Sequence, residues 1–206
     1  MKLYHCPNTR SSRVLWLLEE LNARDKVSVE TVTIASEPRG TLADPRNPHP
    51  EGKVPCLDTG EGVMTESGAI IGYLADLYGA GTLAPHPDDP QRGAYLNWLH
   101  YSGGVMEPVL TQTFGGQPAS DLFTTTFRDA EAMADRLDTV LTQHPYLMGE
   151  DFTAADVLIA APFIWFAAMT PDRPAIKDWV TRCAKRPAFV KISEEDQEMM
   201  ALQTKG

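Results

Sequence analysis

The chain has 206 residues, 43% of them hydrophobic, and a formal net charge of −10. That apolar content builds a packed core and excludes a disordered chain. The acidic balance excludes nucleic acid and anionic membranes as partners, since sequence-independent binding to either needs Lys and Arg; acidity here serves solubility. Cys6, Cys56 and Cys183 are the only cysteines, widely spaced and without a Cys-x-x-Cys pair. They exclude a disulfide framework and a structural zinc site. No apolar run is long enough to span a bilayer, and Met1 to His5 leads straight into a strand pattern with no signal region. The expectation is a soluble protein of a reducing cytoplasm.

In chain order, Leu3 to His5 predicts a short strand and Cys6 to Ser12 a polar turn. Arg13 to Leu21 carries Val14, Leu15, Leu17, Leu18 and Leu21 at helical spacing. Val27 to Ile34, rich in β-branched residues, predicts a second strand, parallel to the first through a right-handed crossover. Residues 35–52 hold four prolines and two glycines and read as loop with at most one short irregular helix. Two close strands are predicted at 53–57 and 62–64, then a helix from Thr65 to Tyr78. Gly79 to Pro90 is a linker by composition. Beyond it, residues 91–113, 119–143, 153–169, 174–185 and 187–200 all predict helix. Thr153 with Asp156 forms a capping box, and Phe152 with Val157 a hydrophobic staple, opening a helix apolar on nearly all sides. This is a folding signal with no chemistry assigned to Asp156.

The stretch that organises this pattern is Lys53-Val54-Pro55-Cys56-Leu57 followed by Glu66-Ser67 at a helix start. Proline cannot donate to a ladder, and a Val-Pro step entering a short strand suits a cis peptide. Backbone groups left unpaired beside it can accept an extended peptide as an added strand. A helix N-terminus attracts carboxylates. The two together make a dock for a short peptide with an acidic end.

Val54-Pro55, then Glu66-Ser67-Gly68-Ala69-Ile70-Ile71, resembles the glutathione-binding half of the cytosolic glutathione transferases. Residues 1–78 follow the thioredoxin-like β-α-β, β-β-α order, and the helical remainder extends the resemblance over essentially the whole chain. Asn97-Trp98-Leu99-His100-Tyr101 is similar to a segment of bacterial members. The resemblance implies an α/β thioredoxin-like N-terminal domain at 1–78, a linker at 79–90 and an all-α domain at 91–206. It implies a homodimer that activates glutathione, a co-substrate needing no metal, as a thiolate for addition to a small apolar electrophile. Glutathione would be held by Asn8, Lys53, Val54, Pro55, Glu66 and Ser67, with Glu66 taking the γ-glutamyl ammonium and Ser67 its carboxylate. His49 reads as a lone loop histidine.

A free thiol is mostly protonated at neutral pH, so a hydrogen-bond donor must stabilise the thiolate. Thr9, Ser11 and Cys6 are the candidates. Thr9 and Ser11 rank ahead of Cys6, although hydroxyls at a helix start are ordinarily caps and a cysteine at a strand end is ordinarily packing. Tyr4 belongs within the strand, and Arg10 stands where a beta-class cysteine would be. Tyr101 and Met106 are the candidates for the electrophile site, with Trp98, Trp165 and Phe166 nearby in the pattern, although residues at such spacing are more often core. Two competing functions stay open: a thiol-disulfide oxidoreductase using Cys6, and a non-catalytic glutathione-binding scaffold.

Overall fold

The computed structural model describes residues 1–34, 44–116 and 118–203. The short helix expected within 35–52 falls partly on residues outside that description; 44–52 are turns and irregular backbone. The chain divides into two compact units. The first comprises Met1–Gly79 together with the segment from Arg186 onward, and the second Ala80–Lys185.

The first unit is built on four strands: β1 (Lys2–His5), β2 (Ser28–Thr31), β3 (Cys56–Asp58) and β4 (Val63–Met64). Their order is β2-β1-β3-β4, with β1 parallel to β2 and antiparallel to β3, and β3 antiparallel to β4. The parallel pair is joined by helix α1 (Ser12–Glu20) and the edge hairpin leads into α2 (Ser67–Gly79). This is the thioredoxin-like arrangement expected. Val14, Leu15, Trp16, Leu17 and Leu18 of α1 are all fully buried. Each such leucine contributes about 2 kcal/mol of hydrophobic stabilisation, so this one helix anchors the unit's core.

The first unit also contains the last helix, α9 (Pro187–Gln203). The expected all-α domain at 91–206 includes it, whereas here it groups with Met1–Gly79. Its attachment to α1 is chemical as well as apolar. Phe189 meets the Trp16 ring edge-on at 5.0 Å between centroids. Arg186 grips Glu20 with two bonds of 2.7 Å, and Lys191 reaches Glu19 at 2.8 Å.

The second unit holds helices α3 (Arg92–Tyr101), α4 (Glu107–Phe114), α5 (Asp121–Phe127), α6 (Ala130–Leu141), α7 (Ala154–Trp165) and α8 (Pro174–Ala184). One five-residue π-helical turn, Ser102–Met106, joins α3 to α4. The expected single helix over 119–143 is two, because Arg128 takes a φ of 68° and Asp129 starts α6 afresh by accepting from the Ala132 N–H at 2.8 Å. The expected capping box is present on α7, the buried axis of this unit. Asp156 accepts from Leu147 N–H, Thr153 N–H and Trp179 Nε1–H at 3.0, 2.9 and 2.9 Å. A wholly buried carboxylate is thus the centre of local order. No helix among the described residues is long and apolar enough to cross a membrane.

Candidate functional site

The strand registers gather the predicted residues at one end of the sheet. Tyr4 pairs with Cys56, and Leu57 with Met64. The end of β1, the start of β3 and the end of β4 thus lie at one end of the sheet. The loop after β1, the segment before β3 and the residues leading into α2 leave the sheet from that end. The Val54–Pro55 bond is cis. Among the described residues nothing hydrogen-bonds to the Val54 main chain. The first helical bond of α2 runs from Ile70 N–H to the Glu66 carbonyl at 2.9 Å. The N–H groups of Ser67, Gly68 and Ala69 precede that bond and point out of the helix mouth. Glu66 is exposed and Ser67 half-buried, and neither side chain is bonded to another described residue.

The second wall is the loop carrying Lys53. The buried Asn47 ties it down, donating to the Lys53 carbonyl at 2.9 Å and accepting from the His49 N–H at 3.1 Å. The Glu51 N–H donates to His49 Nδ1 at 3.0 Å, which leaves the ring proton on Nε2. Burial lowers the His49 pKa, and the charges of Glu51, Lys53 and Glu66 all act on it. The loop histidine is thus in the same electrostatic field as the α2 mouth. Lys53 itself is exposed and forms an ion pair with Glu51.

The loop Cys6–Ser11 separates the three thiol-site candidates. Ser11 is 0% exposed. Its Oγ does not cap α1; it accepts from the Cys6 N–H at 3.1 Å and lies 2.8 Å from His5 Nδ1. The structure does not bring Ser11 to the surface, and burial of its hydroxyl removes it from direct contact with a ligand sulfur. Thr9 is half-buried, its Oγ1 2.7 Å from the Cys6 carbonyl and 2.8 Å from Ser11 Oγ. It is the hydroxyl of this loop with a solvent-facing side. Burial pushes the Cys6 thiol up, and the Asp196 charge adds to that; an Ile34 N–H bond only partly opposes them. A raised thiol is a poor nucleophile. Asn8 is exposed, with a φ of 55° that asparagine tolerates.

The residue that holds this loop was missed from the sequence. Asp196 on α9 accepts from the Asn8 N–H at 2.8 Å, from His5 Nε2 at 3.0 Å and from the Ser12 hydroxyl. Burial raises its pKa, but His5, Ser12 and the Asn8 amide outweigh burial and the carboxyl is lowered overall. His5 alternates inward with Leu3 along β1, and a histidine on the core face of a strand was the available signal.

In the helical unit, Tyr101 and Trp98 are largely buried and meet edge-on at 5.8 Å. Arg136 lies over the Tyr101 ring at 4.0 Å and over Trp98 at 5.1 Å. Burial raises the Tyr101 phenol, with Arg136 opposing. Met106 closes the π turn and is 0% exposed, which makes it core and not a substrate contact in this structure. Phe166, by contrast, is 60% exposed. Among the described residues no group of His, Cys, Asp and Glu is arranged to hold a metal ion.

Comparison with known proteins finds family models and whole-length relatives of one kind. Residues 3–85 match the glutathione S-transferase N-terminal domain model and residues 121–182 the C-terminal domain model. Glutathione S-transferase 3 of Schizosaccharomyces pombe is 28% identical, over 95% of this chain and 87% of its own. Among solved structures, BphK, a bacterial GST in a ternary complex, is 26% identical with a TM-score of 0.77, covering 96% of this chain and 100% of its own. A sphingomonad glutathione S-transferase complexed with glutathione is 26% identical with a TM-score of 0.72, covering 96% of this chain and 99% of its own. With both domain models matched in order and whole-length structural relatives of the same kind, the chain belongs to the cytosolic glutathione S-transferase superfamily.

Proposed function

We propose that this protein is a glutathione transferase that lays glutathione along the Val54 backbone, anchors its γ-glutamyl end at Glu66 and Ser67, and activates its thiol with the Thr9 hydroxyl. The observation that carries the reading is that the Cys6–Thr9 loop, the unpaired Val54 main chain and the segment leading to the α2 mouth all leave the same end of the sheet. An extended tripeptide with a backbone to pair and an acidic, ammonium-bearing end fits those three features in that order. Asn8 and Lys53 flank it, the latter exchanging Glu51 for a glutathione carboxylate. The electrophile is apolar, and by family resemblance Tyr101 is its aromatic contact. By family resemblance the protein works as a homodimer in the cytoplasm.

The oxidoreductase reading draws no comparable support, since burial raises the Cys6 thiol it would need as a thiolate. Glutathione-agarose tests the dock. Glu66→Ala and Ser67→Ala each remove a charge-assisted bond worth roughly 1.5–3 kcal/mol and weaken retention by about tenfold or more. Full retention by both variants would remove the dock from the reading.

A further inference from the structure

A continuous hydrogen-bonded chain runs from the interior of the first unit to its loop. Asp196 Oδ1 lies 3.0 Å from His5 Nε2, His5 Nδ1 lies 2.8 Å from Ser11 Oγ, and Ser11 Oγ lies 2.8 Å from Thr9 Oγ1. Asp196, His5 and Ser11 are buried, and Thr9 is the end nearest solvent. Facing a carboxylate, Nε2 of His5 carries a proton. In neutral His5, Nδ1 is then an acceptor, and the Ser11 hydroxyl, which also lies 3.1 Å from the Cys6 carbonyl, donates to the nearer Nδ1 at 2.8 Å. The Thr9 proton points inward, to Ser11 Oγ or to the Cys6 carbonyl at 2.7 Å. A Thr9 so arranged has no proton to offer a sulfur. Turning it outward while His5 is neutral leaves two hydroxyl oxygens 2.8 Å apart with no proton between them. One added proton on Nδ1 resolves the conflict, because every donor then reverses: His5 to Ser11, Ser11 to Thr9, Thr9 outward.

We propose that glutathione ionisation and this reversal are one event, with Asp196, His5 and Ser11 as positioning residues that take up the thiol proton through Thr9. The proposal rests on glutathione binding as read above. The S–H bond breaks and its proton goes to Thr9 Oγ1. The former Thr9 proton goes to Ser11 Oγ, and the former Ser11 proton to His5 Nδ1. Sulfur keeps the electron pair and one negative charge; the imidazole gains one positive charge facing the Asp196 carboxylate. No other reactant is consumed. The groups that act on this chain are Asp196 from α9 and the Cys6 thiol from the loop, whose own ionisation the Asp196 charge opposes. On the neighbouring elements, Glu195 of α9 is bonded to Arg24 at 3.0 Å, and Arg13 of α1 and Cys56 of β3 are buried. The downward shift of Asp196 agrees with a carboxylate kept charged for this purpose.

The test follows the ultraviolet band of the bound thiolate against pH, at saturating glutathione, with affinity measured separately by calorimetry. Ser11→Ala cuts the chain but keeps the His5–Asp196 pair; Asp196→Asn keeps the shape but removes the counter-charge. Both raise the midpoint of thiol ionisation by about one pH unit or more. Thr9→Ser, which retains the hydroxyl, restores the wild-type midpoint that Thr9→Val loses. A merely structural role would lower affinity in these variants and leave the midpoint in place. Folded, saturated Ser11→Ala ionising at the wild-type midpoint overturns the relay, as does the same result for Asp196→Asn should Ser11→Ala fail to fold. A wild-type protein that does not bind glutathione overturns the parent reading as well, so the two failures are told apart by calorimetry.

Discussion

Two buried aspartates, one in each unit, do similar work by different means. Asp156 gathers two backbone N–H groups, the Thr153 hydroxyl and the Trp179 ring N–H, all neutral donors. Asp196 gathers one backbone N–H, a hydroxyl and an imidazole. Burial is the largest influence on both, and it raises Asp156 overall while Asp196 ends lowered. The difference lies in the imidazole of His5 beside Asp196. Neutral donors around a fully enclosed carboxylate do not offset its desolvation, whereas a buried one with an imidazole and a hydroxyl against it stays charged. The first arrangement is a rivet; the second is equipped for proton chemistry.

Deleting the rivet has the largest expected effect. Asp156→Ala orphans three buried N–H donors and costs about 4 kcal/mol, read as a lowered midpoint in chemical denaturation. Asp196→Ala orphans His5, Ser12 and the Asn8 amide and costs about 3 kcal/mol, with loss of conjugating activity that Asp156 variants still folded do not show. Equal activity losses at equal stability would erase the contrast drawn here.

A pH titration of stability sharpens it, because the two carboxyls act with opposite signs. Asp196 has a folded pKa below its unfolded value near about 3.9. Its contribution is present above that unfolded value and is lost as pH falls through the lower folded one. Asp156 has a folded pKa above the same reference. Its contribution is complete below about pH 3.9 and declines as pH rises toward the folded value. Asp196→Asn therefore flattens the acid limb of the stability curve, and Asp156→Asn removes a loss that sets in above it. Parallel changes in both variants would contradict the assignment. The smallest expected effect is that of Arg136→Ala, which removes an exposed cation from Tyr101 and Trp98 and costs about 0.5–1 kcal/mol, read in the same denaturation experiment.

The two aspartates also mark what the sequence makes legible. Thr153, Asp156 and the flanking Phe152 and Val157 lie within six consecutive residues, so the α7 cap can be read from local spacing. The partners of Asp196 are 184 to 191 positions away, and within Glu194-Glu195-Asp196 it looks like one more solvated charge. The same reason explains the assignment of α9 to the wrong neighbours: its apolar residues predict a helix but not which core they enter. The cis Val54–Pro55 step and the Glu66–Ser67 helix start were legible because each is written in consecutive residues. The choice between Thr9 and Ser11 was not, since both are hydroxyls at a helix start and only tertiary burial turns one inward. Lys53 was seen as a cation but not as the partner of Glu51, two residues before it.

The return of α9 to the first unit has a consequence for biosynthesis. The segment 80–185 leaves the ribosome as an uninterrupted stretch and can assemble while translation continues. Residues 1–79 must wait, their β1 loop lacking Asp196, until α9 has been made. Nascent chains arrested before α9 should therefore show a protease-resistant middle and a cleavable beginning.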